Sequence, residues 1–124
     1  MTVVDSSGWI EFFTGGPLAG AYAKYLKHPQ QLITPTVILY EVYKVVKRQR
    51  GEEQAIVAAA QLSRTHMAPL TESIALTAAD VSLTHQIAMA DAIVYATALT
   101  QRARLITSDA DLGPLPGVTY LQKN

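Results

Sequence analysis

Apolar residues in this chain fall into two alternating patterns: short unbroken runs, and longer stretches in which they recur every third or fourth position. The short runs lie at 2–5 (TVVD), 31–34 (QLIT), 67–70 (MAPL), 104–107 (RLIT) and 118–121 (VTYL). Short runs without in/out alternation predict strands buried on both faces. The periodic stretches predict helices. One passes through Trp9, Phe12 and Phe13 behind a cap at Ser6 or Ser7, and Gly15, Gly16 and Pro17 break it. Pro17 suits the first turn of a second helix, which runs through Leu26 and is ended by His28 and Pro29. A strongly apolar helix follows Thr34 or Thr36, from Val37 to about Arg50, with Gly51 where a C-cap glycine belongs. Glu52 and Glu53 open the next, to about Arg64, and their charges suit its N-terminal dipole. Thr71 and Glu72 start a helix to about His85, and the last runs from about Met89 to Arg102. The turn Gly113-Pro114-Leu115-Pro116-Gly117 separates the final two strands.

Strands alternating with helices predict an α/β fold: a parallel sheet of four or five short strands with helices on both faces. The length, 124 residues, suits one domain over 1–124 and allows a core without staples. No repeat or linker divides it. The absence of cysteine excludes disulfides and thiolate metal sites. There is no signal-peptide pattern at the start and no apolar run long enough for a bilayer, so the expected setting is soluble and cytoplasmic, without a membrane partner. Ten basic and ten acidic residues balance to zero formal charge, which gives no basic footprint for a polyanion. The distribution of the acids is more informative than their sum.

Glu52, Glu53 and Glu72 stand at helix starts, where capping explains them. Asp80 shares a polar helical face with Ser73, Thr77 and Thr84, and Glu11 is expected to be exposed. Five acids differ. Asp5 ends Val3-Val4, Glu41 lies within VILYEVYKVV, Asp91 within IAMADAIVYA, and Asp109 and Asp111 follow Leu105-Ile106. Carboxylates in apolar surroundings need a partner or a metal. Lys24 is the nearest cation in sequence to Asp5, and Arg102 the nearest to Asp91; only Glu41 has a local one, Lys44 at i+3. In open parallel sheets, ligands bind beyond the carboxyl ends of the strands. Asp5 and Asp109 stand at such ends, Glu41 little more than a turn into the helix leaving the second strand, and Asp91 at the start of the helix leading to the fourth. Carboxylates gathered at that edge either rise in pKa or share a cation. With no thiol and no histidine within a helical turn, the ligand set is all oxygen, which suits Mg²⁺ or Mn²⁺ better than zinc.

Each acid also has an ordinary reading. Asp5 and Asp91 can be helix caps, Glu41 an exposed helix position, Asp109 a turn residue, and Asp111 is more a turn or cap than a ligand. Trp9, Phe12, Phe13, Tyr40 and Tyr43 read as core or subunit interface rather than base-stacking platforms. Lys44, Lys47, Arg48 and Arg50 read as a solvated helix end complementing the dipole, with phosphate positioning as the alternative. His28, His66 and His85 receive no role.

Taken in order, VVDSSGWIEFF, TPTVILYEVYKVV, MADAIVYATAL and LITSDADL resemble the landmarks of PIN-domain proteins, above all the VapC-type toxin ribonucleases of toxin–antitoxin systems. The likeness runs from Val3 to Tyr120. The segment ahead of Asp91, THQIAMAD, is less typical than the others. The resemblance implies a PIN-like three-layer sandwich and an acidic Mg²⁺ or Mn²⁺ site. Asp5, Glu41, Asp91 and Asp109 match its acids, Thr107 the Ser/Thr that orients a ligand or bound water, and Asp111 a position where some members carry a further acid. It also implies hydrolysis of RNA phosphodiesters, a cognate antitoxin lying across the groove, and a homodimer. Alternatives from other classes are a non-catalytic binding module and a phosphotransfer-type α/β protein. The latter lacks support: a dehalogenase-like phosphatase needs D-x-D where this chain has Asp5-Ser6-Ser7, and a receiver domain needs paired early acids and a late lysine.

Overall fold

A computed structural model describes residues 1–123. The elements run β1 (Thr2–Val4), α1 (Ser6–Thr14), α2 (Ala19–Leu26), a 3-10 turn (Pro29–Gln31), β2 (Ile33–Pro35), α3 (Thr36–Arg50), α4 (Glu52–Leu62), β3 (His66–Ala68), α5 (Glu72–His85), α6 (Met89–Thr100), β4 (Arg104–Thr107) and β5 (Val118–Tyr120). All strand pairs are parallel: β4 lies between β1 and β5, and β2 pairs with β3. A single parallel bridge, Thr2 to Leu32, joins the two ladders and gives the order β3-β2-β1-β4-β5. The chain therefore moves one way across the sheet from β1 to β3, then doubles back to β4. Right-handed crossovers put α1–α4 on one face and α5–α6 on the other. The packing agrees: α1 meets α2 and α3, α3 meets α4, and α5 meets α6.

The strands are short because both faces are covered and the helices carry most of the apolar surface. Val3, Val4, Leu105 and Ile106 are buried at the centre, with Ile38, Val42, Val46 and Leu62 above them. On the other side, α6 is buried along Ala92–Ala98, so its sequence is apolar all round. Gly8 lets α1 close on α2: a Cβ there would collide with the Tyr22 ring and stand 2.8 Å from Val4 Cγ1. Gly15 ends α1 in the left-handed conformation, φ 66°.

Several local expectations need correction. Asp5, not Ser6 or Ser7, caps α1, because its carboxylate accepts from the Ser6 N–H at 2.8 Å. Pro17 lies in the turn before α2, which starts at Ala19 behind Leu18. Asp91 does not cap α6; Ala88 occupies that position and Asp91 lies within the first turn. Glu11 is not exposed. It is 4% accessible, its carboxylate accepts from the Leu18 N–H at 3.1 Å and pairs with Lys123 at 3.3 Å, and Gly16 packs against it. Of the aromatic residues singled out above, Trp9 is core and Phe12, Phe13 and Tyr43 are half-buried; Tyr40 is 61% exposed, which removes the core reading for it and not the interface one. Among the described residues, no helix is long and apolar enough to cross a membrane.

Candidate active site

Strand register makes the first contact. Val4 is opposite Ile106, so the next residues, Asp5 and Thr107, leave the sheet side by side at its carboxyl edge. The Asp5 N–H donates to the Ile106 carbonyl at 2.9 Å and holds that alignment. The Thr107 hydroxyl donates to Asp5 Oδ2 at 2.7 Å and accepts from the Asp109 N–H at 2.9 Å. One buried hydroxyl thus fixes both an acid on β1 and the turn carrying another. Asp109 Oδ1 in turn accepts from the Asp111 N–H at 2.9 Å, an Asx turn that brings Asp111 back toward Asp109.

Three helices start at the same edge. Asp5 caps α1, Glu41 lies in the second turn of α3, and Asp91 lies in the first turn of α6. Their N-terminal dipoles favour negative charge there. One carboxylate oxygen each from Asp91, Asp109 and Asp111 lies within 4.8 Å of the others. Asp5 and Glu41 are outside that trio but within its field. Burial pushes the Asp5 carboxyl above its ordinary range, Thr107 and the Ser6 N–H pull it back, and Asp109 raises it further. Burial also raises Glu41, as do the charges of Asp5 and Asp109, against the Ser6 side chain and Lys44. Asp91 is raised to about 7, first by burial and then by Asp109, Asp5 and Glu41. Glu41 and Lys44, three residues apart, form no ion pair; the Lys44 ammonium donates instead to the Tyr40 hydroxyl at 3.3 Å.

The structure therefore brings Asp5, Glu41, Asp91 and Asp109 to one edge, with Thr107 between two of them and Asp111 in the closest cluster of oxygens. It also adds residues that spacing did not reveal. Ser7 donates to Asp5 Oδ2 at 3.4 Å and accepts from the Ser108 N–H at 3.1 Å. The Ser108 hydroxyl shares a 2.6 Å hydrogen bond with the buried Tyr22 hydroxyl. This chain of hydroxyls anchors Asp5 from behind. Only the SS of VVDSS and the S of TSD hinted at it, and serine is too common to single out.

The donor set is oxygen-only and tightly spaced, and Asp5, Glu41 and Asp91 are raised in pKa, which suits a hard divalent cation. The PIN domain family model matches residues 2–116. The chain belongs to the PIN domain family. None of the curated proteins matches this PIN-domain chain. Solved structures do. A toxin–antitoxin complex from Klebsiella pneumoniae is 24% identical, with a TM-score of 0.84 over 99% of this chain and 100% of that one. The sarcin–ricin-loop-cleaving toxin VapC20 of Mycobacterium tuberculosis is 19% identical, with a TM-score of 0.81 over the same shares. FitAcB from Neisseria gonorrhoeae is 19% identical, with a TM-score of 0.66 over 90% of this chain and 89% of that one. At these identities the likeness establishes the fold alone: the α/β class and parallel sheet that the strand alternation predicted, in the PIN form that the resemblance implied.

Proposed function

We propose that this PIN-domain protein is a divalent-metal-dependent endoribonuclease, acting as the toxin of a type II toxin–antitoxin pair, with residues 1–124 as one catalytic domain. The observation that carries this reading is the meeting of five acids from four distant stretches of chain at the carboxyl edge of a parallel sheet. An acid cluster without its own counter-charges suits a cation better than it suits helix capping, the role a binding module would give it.

In this reading Asp91, Asp109 and Asp111 hold Mg²⁺ or Mn²⁺, with Asp5 and Glu41 directly or through water. A bound cation of this kind lowers the pKa of water and neutralises charge that builds on a phosphodiester. The residues of the chain supply the rest. Asp5 is locked by Thr107, Ser7 and the Ser6 N–H, so its remaining lone pairs point out of a fixed frame. Thr107 is a positioning residue, since its one proton goes to Asp5 and one of its lone pairs accepts from the Asp109 N–H. Asp91, raised to about 7, exchanges a proton near neutral pH and loses it when a cation enters.

The partners that follow are an RNA substrate, a cognate antitoxin and a second copy of the chain, in a cytoplasmic setting. The toxin–antitoxin complex among the structural neighbours supports the antitoxin. The test is cleavage of labelled RNA by purified protein with Mn²⁺, with chelator, and by the Asp91→Asn variant. Cleavage should need the metal and fall at least a hundredfold in the variant. An Asp91→Asn protein that binds Mn²⁺ and cuts RNA at the wild-type rate overturns the proposal.

A further inference from the structure

An acidic crevice repels a polyanion, so the attraction that seats an RNA strand must come from its rim. The side of α3 that borders Glu41 has such a rim. At about 100° per residue, Tyr40, Lys44, Lys47 and Arg48 share one exposed face, and Glu41 stands at its margin. Two of the basic residues near the end of α3 already have partners. Lys47 pairs with Glu52 at 3.4 Å, and Arg50 donates to the Thr14 carbonyl at 2.8 Å, closing the end of α1. Lys44 makes no ion pair among the described residues; its ammonium lies 5.2 Å from the centroid of the Tyr40 ring. Tyr40 itself is 61% exposed, immediately before Glu41 in the chain.

We propose that Tyr40 and Lys44 form a docking step for single-stranded RNA beside the carboxylates, Tyr40 stacking a base and Lys44 holding the adjoining phosphate. This rests on the nuclease reading above and specifies how its substrate is held. The Lys44 ammonium sits at the hydroxyl edge of Tyr40, so the exposed ring keeps a face for a base, and stacking of this kind tolerates any base. A protein partner fits this face less well. The centres of protein interfaces are depleted of charge, whereas Tyr40 is followed along its stripe by Lys44, Lys47 and Arg48. Tyr40 and Lys44 are thus positioning residues that set substrate affinity, while the chemistry belongs to the acids.

The test compares wild type with Tyr40→Ala, Tyr40→Trp and Lys44→Ala on a short single-stranded RNA carrying 2-aminopurine. Steady-state cleavage with Mn²⁺ gives KM and kcat; fluorescence with Ca²⁺ in place of Mn²⁺ reads stacking. Tyr40→Ala should raise KM about tenfold, leave kcat within about twofold and abolish the fluorescence quenching, and Tyr40→Trp should restore both. Lys44→Ala should reduce the slope of log affinity against log salt by about 0.7. The rise in Tm on adding Mn²⁺ should be the same in the two Tyr40 variants as in wild type, which separates docking from folding and metal binding. Unchanged KM and unchanged quenching in Tyr40→Ala overturn the proposal, as does a Tyr40→Ala protein that keeps its KM but loses a dimer on size exclusion. If wild type cuts no RNA with any divalent ion, the nuclease reading fails on its own, and the quenching arm still decides whether Tyr40 stacks a base.

Discussion

At the scale of single residues, the site is defined by how burial and neighbouring charge change an ordinary carboxyl group. Asp91 has an unfolded pKa near 3.8 and a folded value of about 7, raised first by desolvation and then by the charges around it. Between these values the folded state holds more protons than the unfolded state, so stability must fall as pH rises through this window. Asp5 and Glu41 shift in the same direction. The metal-free protein should therefore have a higher Tm at pH 5 than at pH 8, and a calorimetric series in chelator checks the sign. Asp91→Asn should flatten that slope. Thr107 offers a second test. Thr107→Val keeps the shape but removes the hydroxyl that serves Asp5 and leaves the Asp109 N–H without its acceptor. A loss of about 1–3 kcal/mol in chemical denaturation is expected. Thr107→Ser, which keeps the hydroxyl, should recover most of it.

At the scale of elements, three helix starts and two strand ends converge because every crossover returns the chain to the same edge. Parallel register pairs Asp5 with Thr107, and the Asx turn after β4 folds Asp111 back toward Asp109. The element that sets the depth of this edge is α1, held against α2 through Gly8. Gly8→Ala introduces a methyl group into the Tyr22 ring and against Val4. Tyr22 bonds Ser108, so a displaced ring disturbs the turn carrying Asp109 as well as the core. Gly8→Ala should cost about 1–3 kcal/mol of stability, measured by urea unfolding, and should weaken Mn²⁺ binding in calorimetry. Gly20, in the first turn of α2 with open space around it, supplies the control: Gly20→Ala should be neutral or stabilising.

At the scale of the whole molecule, the apo protein is poised between repulsion among its acids and the packing that holds them together. A cation that binds only the folded state raises stability by mass action, about 2.7 kcal/mol at a hundred times its Kd. Mn²⁺ should therefore raise Tm in proportion to the logarithm of its concentration, more at pH 8 than at pH 5, because at lower pH it must displace a proton from Asp91. A pH-independent rise would argue against the acid cluster as the binding site.

What the sequence alone determined is the part governed by periodicity and local chemistry. Runs such as VV and LI, set between stretches of helical period, specify buried parallel strands, and glycines at 15 and 51 mark helix ends. Asp5, Glu41, Asp91 and Asp109 were legible as acids at strand ends and helix starts, where topology predicts a shared edge. Tertiary structure alone decided the rest, because it depends on distances between residues far apart in the chain. Glu11 reads as a surface acid on its helix, but the turn at Gly16 and the return of Lys123 bury and pair it. The hydroxyl chain from Tyr22 through Ser108 and Ser7 to Asp5 spans most of the sequence, and no spacing rule connects its members. Even the grouping of Asp111 with Asp91 arises only where α6 and the turn after β4 meet, since the field between two charges depends on their separation in space rather than along the chain.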